Sequence, residues 1–274
     1  MKHVTVFGLG LIGGSVALGL RARGVAVAAV DRPEVLDFEV ARAAADERID
    51  TQDGERVREV LGRTDLAVLA VPVGVVAALL PRVLRCANTV TDCGSTKRVV
   101  MEAASRLSGA ARFVGGHPMA GLPQSGLLTA RPELFRDRSW IVCAGQAGQD
   151  RVARVESFAR LLGAVPVRMT PEQHDRAVAL TSHVPQVLAS LLTVLAARGD
   201  MARAAGPAFE RATRTAGGAE SMWRDVFVTN ADEVARTLRT VSTELNQIAA
   251  ALEADPADLG ALLALLAEAR RTRR

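Results

Sequence analysis

The chain reads as an α/β protein in two parts, a doubly wound, mostly parallel sheet followed by an all-α region. Three observations predict this. Short β-rich runs alternate with helical stretches over residues 1–169. A glycine-rich turn joins the first β-rich run to the first helix, and from Thr170 onward no strand pattern remains. The 274 residues, 49% hydrophobic and 23% charged, supply a core for one large domain or two modest ones.

Each element has its own signal. Val4–Phe7 is the first expected strand, and Gly13–Arg23 a helix ending at Gly24, a residue suited to the position just past a helix. Val25–Val30 gives a second strand ending at Asp31, with one helix expected over Glu34–Ala45. Leu66–Val71 is apolar throughout, as a strand buried on both faces should be. Helices are expected at Val73–Leu84, despite Gly74 and Pro81, and at Arg98–Leu107; strands at Thr89–Thr91 and Arg112–Val114. Ser139–Cys143 and Val165–Arg168 flank a helix near Gln149–Leu162.

Thr170-Pro171-Glu172 opens the second part, with Thr as N-cap and Pro at the first helical position. Helices are expected over Pro171–Ala197, Met201–Arg214, Ser221–Glu253 and Pro256–Arg270, and Arg270–Arg274 reads as a solvated basic tail. Leu188, Leu191, Leu192 and Leu195 form an apolar stripe at helical spacing.

Composition excludes several chemistries. The net charge of +4 comes from 34 basic and 30 acidic residues, and no basic stripe interleaved with aromatics appears. That favours a small anionic ligand and argues against a nucleic-acid partner. There is no Tyr, and Lys2 and Lys97 are the only lysines, so neither a Tyr–Lys pair nor a lysine base in the helical part is available. Cys86, Cys93 and Cys143 lack zinc or disulfide spacing; no metal site is expected, and the thiols read as reduced. The chain opens directly on a strand, and no run approaches the roughly 18 apolar residues of a membrane span. A cytoplasmic protein without a membrane partner is expected.

Gly8-Leu9-Gly10-Leu11-Ile12-Gly13 follows a strand and opens a helix, the context that makes GxGxxG specific for a dinucleotide. Gly8 permits the tight turn, Gly10 the approach of a pyrophosphate, and Gly13 close helix–strand packing. Leu11 and Ile12 complete the helix N-terminus that faces the phosphates. Asp31, 18 residues after Gly13, is placed to take a ribose 2′-hydroxyl. Its charge favours NAD over NADP, although the neighbouring Arg32 could accept a 2′-phosphate. Residues 1–169 thus form the expected dinucleotide-binding (Rossmann) domain, and 170–274 a separate helical one.

Two clusters lie at strand ends, where open α/β sheets bind ligands. One is Asp92-Cys93-Gly94-Ser95-Thr96-Lys97; the other is Gly115-Gly116-His117-Pro118-Met119-Ala120-Gly121. His117 is expected on a loop, between glycines and a proline, as a histidine available for proton transfer. Lys97 could touch the cofactor or cap its loop. His174 and His183 are nine residues apart, about 180° around an α-helix, and should not share a face. His174 then reads as a solvated or hydrogen-bonded helix residue, and Trp223 as packing or interface.

With these stretches in hand, the chain resembles the prephenate dehydrogenase family, which includes arogenate and cyclohexadienyl dehydrogenases. The matching segments are GLGLIGGS at 8–15, DCGSTK at 92–97, GGHPMAG at 115–121 and ATRTAGGAESMWRD at 212–225. The resemblance implies NAD-dependent oxidative decarboxylation of a cyclohexadienol in tyrosine biosynthesis, and a helical domain that forms a homodimer. It implies that His117 is the base, that Ser95 orients the substrate hydroxyl, and that Arg214 binds a substrate carboxylate. His183 would line the substrate cleft, with Gln186 where the family often has a second histidine. Leu122-Pro123 and Arg211 also depart from the family pattern. No chorismate mutase or regulatory domain is expected at either end. An amino-substituted prephenate is an alternative substrate, and a β-hydroxyacid dehydrogenase an alternative enzyme, although the latter would want a lysine base.

Overall fold

The computed structural model describes residues 1–122, 124–199, 201–254 and 257–272. In chain order the sheet part contains β1 (His3–Phe7), α1 (Leu11–Arg21), β2 (Ala26–Asp31), α2 (Pro33–Leu36), α3 (Glu39–Ala44), β3 (Glu47–Asp50), α4 (Gly54–Gly62), β4 (Leu66–Leu69) and α5 (Val73–Cys86). It continues through β5 (Val90–Asp92), α6 (Arg98–Ser105), β6 (Phe113–Pro118), β7 (Ser139–Cys143), α7 (Gln149–Leu161) and β8 (Val165–Arg168). The eight strands lie in the order β3-β2-β1-β4-β5-β6-β7-β8. Every neighbouring pair is parallel except β6 with β7.

Alternation along each strand divides its side chains between two cores. Val4, Val6, Val27, Ala29, Leu66 and Val68 face α1, α3 and α7, joining Val16, Leu20, Trp140 and Phe158. Phe7, Ala28, Val30, Ala67 and Leu69 face α4, α5 and α6, joining Leu61, Leu80 and Val100. Each fully buried aliphatic side chain here contributes roughly 1.5–3 kcal/mol, which is why the central strands read as unbroken apolar runs.

The helical part comprises α8 (Pro171–Val178), a π turn (Ala179–His183), α9 (Val184–Arg198), α10 (Pro207–Thr213), α11 (Glu220–Thr229), α12 (Ala231–Glu253) and α13 (Gly260–Thr272). The Thr170 capping box is present, with Gln173 as its reciprocal partner. By length and composition alone the run Pro171–Arg198 is long and apolar enough to cross a membrane, which the sequence reading did not expect. Its N-terminal part, however, carries the buried polar residues His174, Asp175 and His183, and Gln186 follows one turn on. The core of this part is small: Ala179, Val184 and Val234, with Leu188, Phe227, Leu238 and Val241 against it. Leu191, Leu192 and Leu195 of the expected stripe are exposed, as are Leu245, Leu252, Leu263 and Leu266.

Several elements differ from expectation. The single helix at Glu34–Ala45 is two short ones, because Phe38 is extended and restarts the chain as an N-cap. Strand β3 was not foreseen: it is an edge strand whose residues other than Ile49 are charged. β6 runs on through Pro118, pairing antiparallel with β7, so His117 belongs to a strand rather than a loop. Helix 201–214 breaks at Gly206-Pro207, and 221–253 breaks at Asn230. The last helix begins at Gly260; Pro256 lies outside the described residues, as do Arg273 and Arg274 of the expected tail. The π turn precedes Pro185, which has no N–H to donate and whose ring would crowd the carbonyl one turn back. That extra residue cancels much of the half-turn separation expected between His174 and His183, and both are buried.

Candidate active site

The glycine turn sits between β1 and α1 with three distinct demands. Gly8 has φ +87°, and a Cβ there would lie 2.5 Å from the Ala70 carbonyl oxygen. A Cβ on Gly13 would lie 1.8 Å from the Gly8 carbonyl oxygen. A Cβ on Gly10 would meet no protein atom within 4 Å. Two glycines therefore close the packing and the third borders open space, the cradle that a pyrophosphate needs. Leu11, Ile12 and Gly13 form the first turn of α1, whose N–H groups have no intrahelical acceptor. At the end of β2, Asp31 accepts hydrogen bonds from the Leu9 N–H (2.5 Å) and the Arg32 N–H (2.7 Å). Its carboxylate is thereby fixed beside the turn, while Arg32 is exposed. These residues fit a dinucleotide.

A cavity of about 840 Å³ extends from this turn. Ile12, Ala70–Val73 and Cys93–Ser95 form one wall; Glu220, Ser221, Met222, Arg224, Asp225 and Val226 of α11 form the other. Ser95 is thus in the same cavity as the start of α1. Burial and the nearby Asp92 carboxylate push the Cys93 thiol far up, which favours its protonated form.

Asp92 ties this loop to the strand that carries His117. Its Oδ2 accepts the Gly94 N–H (2.9 Å) and pairs with the Lys97 ammonium, and its Oδ1 accepts the Gly116 N–H (2.9 Å). Asp92 and Lys97 are both fully buried, so Lys97 holds its own loop from inside through Asp92. His117 is half-buried, and its Nδ1 lies 2.8 Å from Nε2 of His174. His174 in turn places Nδ1 2.7 Å from Asp175 Oδ1. The carboxylate of Asp175 also accepts the Lys97 N–H (2.7 Å), the Arg98 N–H (2.9 Å) and Arg98 Nε (3.2 Å). His174 is therefore buried in the site rather than solvated. Burial, then the charges of His174, Lys97 and His183, hold the His117 imidazole well below its usual pKa range. Burial also lowers His174, against the opposing pull of Asp175. Asp175 itself is lowered: burial would raise it, but the His174 ring and the two backbone N–H groups outweigh that.

The remaining expected residues separate. His183 is buried, with Nδ1 3.3 Å from Asn230 Nδ2 and its ring edge-on to Trp223. Burial lowers its pKa to about 4. Gln186 is also buried, with Nε2 3.4 Å from Ser190 Oγ and its carbonyl oxygen without a partner among the described residues. Arg214 caps the end of α10, exposed, and Arg211 is exposed beside it; neither lines the cavity, whereas Arg224 does. Sequence reasoning missed His174, Asp175 and Arg224. The first two did leave a signal: they occupy the same helix stripe as Val178 and Ala179, where apolar residues belong.

His117 is not among the residues lining the cavity; it is tied through Asp92 to the loop that lines it. A dinucleotide cradle with this loop in its cavity wall defines a nicotinamide-dependent oxidoreductase. Residues 16–168 match the family described as prephenate dehydrogenase, nucleotide-binding domain, and residues 170–268 match prephenate dehydrogenase, dimerization domain. The chain belongs to the prephenate dehydrogenase family. It is 30% identical over 265 residues to a prephenate dehydrogenase of Lactococcus lactis, covering 91% of this chain and 71% of that protein. The structure of A. aeolicus prephenate dehydrogenase in complex with hydroxyphenyl propionate and NAD+ superimposes with a TM-score of 0.88 at 28% identity, covering 100% of this chain and 97% of that one. Synechocystis arogenate dehydrogenase superimposes with a TM-score of 0.82 at 26% identity, covering 100% of both chains.

Proposed function

We propose that this protein catalyses the NAD-dependent oxidative decarboxylation of prephenate or arogenate, giving 4-hydroxyphenylpyruvate or tyrosine. One observation carries the reading: the loop bearing Ser95 in the cavity wall and the strand bearing His117 are clamped to the same buried carboxylate, Asp92. In this reading residues 1–169 hold the dinucleotide and residues 170–274 complete the substrate site and form a homodimer. The exposed leucines of α9, α12 and α13 support the dimer, since a lone chain leaves them in water.

When bound, the nicotinamide accepts hydride from C4 of the substrate ring. His117 takes the proton of the C4 hydroxyl, as a base worth roughly 10²–10⁴-fold in rate. Ser95 orients that hydroxyl. The ring carboxylate departs as CO₂, and the electron pair of its broken C–C bond completes the aromatic ring. Arg214, with its guanidinium uncommitted to any hydrogen bond or ion pair among the described residues, binds a substrate carboxylate bidentately. His183 and Gln186 contribute to the side-chain end of the cleft. Asp31 disfavours a 2′-phosphate by charge repulsion, so NAD is the preferred cofactor. A soluble cytoplasmic location fits a pathway enzyme of this kind.

The test is spectrophotometric: NADH formation is followed with prephenate and with arogenate, using NAD and then NADP. His117→Asn should abolish turnover and leave dinucleotide binding nearly intact; near-wild-type turnover would sink the base assignment. Arg214→Ala should mainly raise KM, and an unchanged KM would remove it from the substrate site.

A further inference from the structure

We propose that His174 and Asp175 are positioning residues that lock His117 into a single tautomer, with the proton on Nδ1 and Nε2 left bare. The proposal rests on the reading of His117 as the base, but it concerns a property that can be observed with no substrate present.

Among the described residues the two oxygens of Asp175 are met by four N–H donors: Lys97 N and His174 Nδ1 on one, Arg98 N and Nε on the other. An ionised carboxylate can only accept, so His174 must carry its proton on Nδ1. Neutral His174 then has a lone pair on Nε2, and the partner 2.8 Å away, His117 Nδ1, must be the donor. The rings meet edge-on, with centroids 5.1 Å apart and planes inclined by 72°. Neutral His117 is left with Nε2 as the one ring nitrogen able to take a proton. Were His174 charged, both its nitrogens would donate, His117 would keep its proton on Nε2, and no acceptor would remain. His174 is fully buried in surroundings that disfavour its charged form, which keeps the chain of donors pointing one way.

The arrangement also crosses the boundary between the two parts of the molecule. His117 and the Lys97 and Arg98 N–H groups come from the sheet part, while His174 and Asp175 come from the first helix after it. Asn230, at the break between α11 and α12, donates to the Asp175 carbonyl (2.8 Å) and accepts from Arg98 Nη2 (3.0 Å), bracing the same junction. In metal sites a partner that fixes the tautomer of a histidine changes activity by roughly 10–100-fold when removed, and the same scale is expected here.

The experiment is nitrogen-15 NMR of the full-length protein labelled at histidine, with His117 assigned by comparison with His117→Asn. An Nδ1–H, Nε2-bare pattern for His117 in the wild type is the expected result; an Nε2–H pattern would overturn the proposal, and needs no destabilised variant. His174→Phe should lose the tautomer preference and cut kcat roughly 10–100-fold with KM within about twofold. His174→Gln, whose amide oxygen can accept from Nδ1, should restore both the pattern and most of kcat. Unchanged kcat and pattern in His174→Phe would refute the role. If the wild type shows the expected pattern yet forms no NADH from prephenate or arogenate, the functional reading fails and the tautomer assignment stands.

Discussion

Replacing Gly13 and Gly10 separately by alanine distinguishes packing from ligand access within one turn. At Gly13 the new Cβ would lie 1.8 Å from the Gly8 carbonyl oxygen and 3.0 Å from Ala70 Cβ. Backbone must retreat by more than 1 Å to reach ordinary contact, and both obstacles are rigid. Overpacking of this kind costs about 1–3 kcal/mol. At roughly 2–4 °C per kcal/mol for a domain of this size, Tm should fall by several degrees. The retreat also displaces the first turn of α1, and loss of one charge-assisted hydrogen bond to a phosphate, about 1.5–3 kcal/mol, weakens NAD roughly 10- to 150-fold. At Gly10 the backbone is extended (φ −78°, ψ −161°) and a Cβ meets no protein atom, so Tm should stay within about a degree. Yet NAD binding should fall at least as far, because the methyl occupies the pyrophosphate's space. Differential scanning calorimetry and isothermal titration with NAD measure the two effects. An unchanged Tm in Gly13→Ala, or wild-type affinity in Gly10→Ala, would refute the assignment of these roles.

Four further outcomes are expected. Asp31→Asn should weaken NAD about tenfold and tighten NADP, narrowing the preference measured by titration; an unaltered ratio would show that Asp31 does not select the cofactor. His117 must be uncharged to act, and burial keeps it so well below its usual pKa, so kcat/KM should stay flat on acidification until a midpoint well under pH 6.5. A midpoint at or above 6.5 would contradict the buried setting. Stability should also decline between pH 6.5 and 4: His183, lowered to about 4, refuses a proton that the unfolded chain accepts. That group alone accounts for roughly 3 kcal/mol, and a urea midpoint that is constant over this range would argue against it. Asp92→Ala leaves the Lys97 ammonium buried and unpaired, a loss of about 3–5 kcal/mol by urea titration that Asp92→Leu combined with Lys97→Met should partly recover.

Much of the sheet was legible because its central strands are buried on both faces and therefore unbroken in apolarity, as in Leu66–Leu69. Strand β3 was not, since an edge strand needs only Ile49 inside and leaves Glu47, Arg48 and Asp50 free to look like a loop. Within the site, the glycine turn was readable from a local motif, because its packing depends on its immediate neighbours; Ser95 and His117 were picked out by the segments that carry them, while the Asp92 clamp that joins those segments was not legible. For His174 the hydrogen-bonded alternative holds, but its burial was not legible because it depends on contacts 57 residues away and on a π turn that changes helical phase. The break at Asn230 left no glycine or proline to mark it; the asparagine is held in place by Asp175, His183 and Arg98, all distant in sequence.

The seam braced by Asn230 bears on how such proteins can be recombined. On the reading proposed above, chimeras that join the first half of one relative to the second half of another would take the imidazole proposed as the base from one parent and its hydrogen-bond partner from the other. Grafts should work only where the incoming half brings a His-Asp pair and an asparagine in register with the acceptor's Lys-Arg start of α6, however well the remaining surfaces match.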